Sequence, residues 1–203
     1  MSPVYKLSAN SVKNGRTVYG SMLAGNTAFK PTSYESIATV TVGSGGAASA
    51  AFTSIPGTYA HLQIRMFVKT DRSGASQDAV KIRFNSDSGT NYTYHFIYGD
   101  GSGTASEGYT SENGGRGYRA SGDLNATSIF GAMVTDILDY ANTNKYTTIK
   151  TLGGVDLNGS GEMWLTSSLW LNTNAITSIT IVPATGPNFK QYSHFALYGI
   201  KGA

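Results

Sequence analysis

The chain has 203 residues, 40% of them hydrophobic and 11% aromatic but only 13% charged, and its 15 basic and 12 acidic side chains leave a net charge of +3. That length buries a sizeable core, and the absence of Cys excludes disulfides, thiol chemistry and Cys-ligated zinc. Dispersed cations, abundant aromatics and the lack of a long apolar run argue against nucleic-acid binding, disorder and a membrane span.

Residues 1–33 carry apolar side chains thinly spread among Asn, Gly and Ser, and Pro31 closes the stretch. An extended N-terminal anchoring arm is expected there, with Val4, Tyr5, Leu7, Val18, Met22, Leu23 and Phe29 as its gripping residues. The first eight residues have no apolar segment of the kind that a secretory signal requires, so export by that route is not expected.

From Tyr34 the period becomes 2, and 34–203 is read as one domain. Ala38, Val40 and Val42 alternate with Thr39 and Thr41, and a Gly-Ser-Gly-Gly turn follows at 43–46. Leu62, Ile64, Met66 and Val68 share one strand face, with Gln63, Arg65 and Lys69 on the other. Phe67 interrupts that polar face, which points to an edge or an interface. Val80, Ile82 and Phe84 alternate with Lys81 and Arg83, and Tyr92, Tyr94, Phe96 and Tyr98 form an aromatic stripe. Residues 99–129 contain many glycines and no sustained alternation, so a long Gly-rich loop is predicted. Strand signals resume over 130–140, 145–152, 162–171, 176–182 and 192–200. About ten short strands at such spacing predict an all-β, antiparallel β-sandwich.

The residues that suggest chemistry fall short of a site. His61, His95 and His194 lack the spacing of metal ligands, and no G-x-S-x-G elbow or phosphate loop is present. Asp136 and Asp139 fall on opposite faces of a strand, while Glu107, Glu112 and Asp123 lie in the expected loop. The Asx/Gly segments 85–91 and 156–162 lack the ligand order of a calcium loop and read as hairpin turns. No catalytic residue, metal or cofactor is therefore assigned. The aromatic stripe reads either as core or as a partly exposed platform. A contact surface is expected to include Tyr92, Tyr94, Tyr98, Tyr109, Tyr118, Arg116 and Arg119, because Tyr and Arg dominate interface hot spots.

One combination of segments carries a resemblance. Residues 34–47 (YESIATVTVGSGGA), 52–65 (FTSIPGTYAHLQIR) and 192–201 (YSHFALYGIK), with SMLAGN at 21–26 upstream, resemble a family of small tailed-bacteriophage virion proteins. The resemblance implies a jelly-roll-like sandwich on the virion surface, commonly a homotrimer, with no catalytic site. It fits a Cys-free protein folded in the host cytoplasm and carried out on the particle. The expected function is a capsid decoration or cement protein, clamped by its arm to the major capsid or a tail protein. The alternative is a tail-fibre or tail-tip protein that recognises a host surface glycan. A glycan-cleaving enzyme and a cellular lectin are the remaining rivals. Neither nucleic-acid binding nor membrane insertion is expected.

Overall fold

A computed structural model describes residues 33–202. The expected arm and its seven gripping residues therefore lie outside the described residues, apart from Ser33. The described chain is all-β, as its alternation requires. Twelve strands are present: β1 (Tyr34–Thr41), β2 (Ala50–Phe52), β3 (His61–Val68), β4 (Gln77–Phe84), β5 (Tyr92–Gly99), β6 (Thr104–Glu112), β7 (Gly115–Ser121), β8 (Gly131–Leu138), β9 (Thr147–Asp156), β10 (Gly161–Trp170), β11 (Ile179–Pro183) and β12 (His194–Ile200).

They form two antiparallel sheets packed as a sandwich, one of eight strands in the order β1-β12-β3-β8-β9-β10-β5-β6 and one of four in the order β2-β11-β4-β7. Eight of these strands make a jelly roll. Strands β1-β12-β3-β8 on one side and β2-β11-β4-β7 on the other have the interleaved order of a double Greek key. The other four strands are two hairpins, β5–β6 and β9–β10, inserted between β4 and β7 and between β8 and β11. Both hairpins add to the same edge of the roll, beside β8. The larger sheet consequently extends past the smaller one.

The predicted loop at 99–129 is corrected by this arrangement, since it contains β6 and β7. The edge strand β6 is exposed along nearly its whole length, so no core selects apolar residues on either of its faces. In β7, glycine replaces the inward apolar side chain. A Cβ on Gly117 would stand 2.8 Å from Val80, and one on Gly153 of the facing β9 would stand 1.8 Å from the Tyr118 carbonyl oxygen. The backbones of β7 and β9 meet where a side chain would otherwise separate them.

The main core lies inside the roll. Leu62, Ile64, Met66 and Val68 of β3 face Val80, Ile82 and Phe84 of β4 and Ile179 and Ile181 of β11, all but fully buried. Lys69 is buried at the end of β3, where its ammonium donates to the carbonyl oxygens of Gly122, Asn125 and Ala126 at 3.0–3.1 Å. It thereby ties down the loop between β7 and β8.

Candidate functional site: an aromatic and guanidinium shelf

The inner face of the overhanging hairpins carries a second, smaller core. Tyr94, Phe96 and Trp164 are buried in it, with Tyr98 and Tyr118 packed against them. Register explains the meeting. Tyr98 pairs with Trp164 across β5 and β10, and Tyr94 pairs with Tyr109 across β5 and β6. The rings then stack, with Tyr98 and Tyr118 centroids each 4.2 Å from Trp164, and Tyr109 5.1 Å from Tyr94. Such pairs add about 0.5–1.5 kcal/mol beyond their area burial.

Two arginines of β7, the last strand of the smaller sheet, close over the rings. The Arg119 guanidinium lies 4.1 Å from the Trp164 ring centre, and its Nε donates to Glu162 Oε2 at 2.7 Å. The Trp164 indole N–H donates to the same oxygen at 2.5 Å. Arg116 lies 5.1 Å from the Tyr94 ring centre and donates from Nη2 to the Tyr94 hydroxyl at 3.3 Å and to Glu112 Oε2 at 3.2 Å. Both carboxylates are therefore held by a guanidinium, and partial burial makes each pair stronger than a surface ion pair.

Burial raises the Tyr118 hydroxyl well above the ordinary tyrosine range, helped by its hydrogen bond with Tyr94. The Tyr109 hydroxyl is also raised, because it donates to the charged Glu107 carboxylate. These phenols stay protonated at neutral pH and act as hydrogen-bonding groups.

Six of the seven residues expected at a contact surface come together here: Tyr94, Tyr98, Tyr109, Tyr118, Arg116 and Arg119. Tyr92 does not, and this corrects the sequence reading. It is fully buried in the main core, stacked on Trp170 at 6.3 Å, accepts from the Phe84 amide at 2.9 Å and donates to the Asp87 carbonyl at 3.3 Å. The sequence reading missed Trp164, Glu162 and Glu112 as members. Alternation could not single out Trp164, because Met163, Trp164 and Leu165 are all apolar, and only the β5–β10 register makes it the partner of Tyr98.

The platform reading of the aromatic stripe is also narrowed. Trp164 and Tyr94 are only 4% and 3% exposed, so most ring faces are spent on one another. The open ring of the shelf is Tyr109, at 39%. Glu112 and Glu162 are each held by a guanidinium, and Glu107 accepts from the Tyr109 hydroxyl. Among the described residues, no group of three His, Asp or Glu is placed to hold a metal ion. No known protein family matches this chain, and no curated protein matches it.

Proposed function

We propose that this chain is a non-enzymatic structural protein on the surface of a tailed-phage particle, a decoration or cement protein of the head. One observation carries the reading. Of the segments that resemble the phage virion family, 192–201 is far in sequence from 34–47 and 52–65, yet its strand β12 lies between β1 and β3, which the other two segments supply or begin, in one sheet. A resemblance scattered over unrelated surfaces would argue little. Here, among the described residues, it falls mainly on one side of a jelly roll. Many copies, each held by its own arm, would attach by multivalency.

Immunogold electron microscopy of intact particles tests this. Label over the head supports decoration. Label confined to the tail favours the second reading, a glycan-recognising tail protein, for which the exposed ring of Tyr109 is the specific support. Absence of label from all particles removes both. In addition, a chain lacking residues 1–30 is expected to fold as a β domain and to fail to join particles. Failure of the truncated chain to fold would show that the arm belongs to the core.

A further inference from the structure

The larger sheet has an outer face, and half of it departs from the pattern of a water-facing sheet. Outward positions of such a sheet are normally polar. Here Phe67, Val134, Leu152, Met163, Leu165 and Ile97 occupy them, each between 38% and 65% exposed. The register gathers these side chains. Val134 pairs with Leu152, Leu152 with Leu165, and Leu165 with Ile97, which makes one straight apolar row across β8, β9, β10 and β5. Phe67 and Met163 stand two residues along, with Ala132 and Gly154 between them. Shallow grooves of about 480 Å3 and 230 Å3 run along this face. The six side chains expose roughly 600 Å2, at the upper end of what a monomer leaves bare and approaching the ~800 Å2 that each partner gives to a standard interface.

We infer that this face is covered by a second copy of the same chain, related by a two-fold axis that runs parallel to the strands between β9 and β10. The patch is complementary to itself about that axis. The rotation sets Leu152 of one copy against Leu165 of the other, and Val134 against Ile97. It carries the protruding Met163 over the small residues Gly154 and Ala132. In the next row Asp136 pairs with Lys150, Lys150 with Ser167, and Ser167 with His95, so the same rotation sets Asp136 opposite His95. A two-fold contact requires one surface to match itself in this way. No charged side chain interrupts the row from Val134 to Ile97, so a highly charged partner has nothing to pair with at its centre. The inference rests on the register of the sheet and not on the virion reading. Failure of particle labelling leaves it intact, and its own failure leaves that reading intact.

The test is the solution mass of the full-length chain by light scattering and sedimentation. An even number of chains of 21.4 kDa is expected: two, or six if a trimer also forms through another surface. Leu152→Glu and Leu165→Glu point outward, so they should keep the wild-type circular dichroism and weaken association at least tenfold. Leu165→Thr, which suits a strand, guards against a folding defect in the glutamate variants. The chain has no Cys, so Leu152→Cys and Leu165→Cys can be mixed, and the mixture should cross-link faster than either variant alone. A monomer, a lone trimer, or glutamate variants of unchanged mass would overturn the inference. A monomer whose glutamate variants are lost from particles would overturn it too, by assigning the face to another protein of the particle.

Discussion

Replacing Trp164 by alanine separates a closed second core from an open platform. Trp164 is 4% exposed and contacts Phe96 at 4.5 Å, Tyr98 and Tyr118 at 4.2 Å, and Arg119 at 4.1 Å. A buried Trp or Phe reduced to Ala costs about 3–5 kcal/mol, counting both the lost transfer energy and the cavity. The shelf is a small cluster bordered by the 39% exposed Tyr109, so the lower end applies, about 3 kcal/mol. For a chain of this length that lowers Tm by roughly 6–12 °C. Trp164→Phe keeps a stacking ring and loses the indole bond to Glu162, at a cost of about 1 kcal/mol. The assay is urea unfolding followed by far-ultraviolet circular dichroism, comparing midpoints and slopes. A loss below about 1 kcal/mol for Trp164→Ala would refute the packed shelf, since a ring that supports nothing can be removed cheaply.

Three further outcomes are expected. Gly153→Ala places a methyl 1.8 Å from the Tyr118 carbonyl oxygen, so β7 must shift away from β9. A loss of about 2–3 kcal/mol is expected from that overpacking, read from the thermal midpoint. Lys69→Met leaves the buried Gly122 carbonyl and the part-buried Asn125 and Ala126 carbonyls without their shared donor. It should cost about 2–3 kcal/mol in urea unfolding, with the β7–β8 loop exchanging its amide hydrogens faster. The third concerns acid. Burial alone would raise the Asp87 carboxyl, but hydrogen bonds from Trp170, Asn91 and Gly89 outweigh it and hold the group below the ordinary aspartate value. The unfolded chain therefore binds the proton first, and this contribution to stability is present above about pH 4 and lost as pH falls further. Asp87→Asn should flatten the urea midpoint between about pH 4 and pH 2, and an unchanged slope there would exclude Asp87 as a source of acid sensitivity.

The strands whose two faces meet different surroundings were legible in the sequence. β3 and β4 alternate because one side meets the core and the other does not, and a period of 2 records that contrast directly. β6 and β7 were not legible. β6 is an edge strand exposed along nearly its whole length, with Tyr109 alone stacking on the rings of β5, so little imposes an alternation. β7 approaches β9 so closely that glycine takes the place of an apolar side chain, and glycine reads as loop.

The site follows the same division. Tyr92, Tyr94, Phe96 and Tyr98 lie on one face of β5, and the sequence determined that much. It could not determine what covers that face, because the covering strands come from distant parts of the chain. Tyr92 lies against Phe84 of β4 and joins the main core. Two residues along, Tyr94 meets Tyr109 of β6 and Tyr118 and Arg116 of β7 and joins the arginine-capped shelf. The outer face makes the point again. Val134, Leu152, Leu165 and Ile97 are unremarkable singly, and only strand pairing across β8, β9, β10 and β5 aligns them. Alternation is a local property, fixed by which way each Cβ points. Burial and partnership are set by the order in which the sheet assembles, and that was decided by the tertiary structure alone.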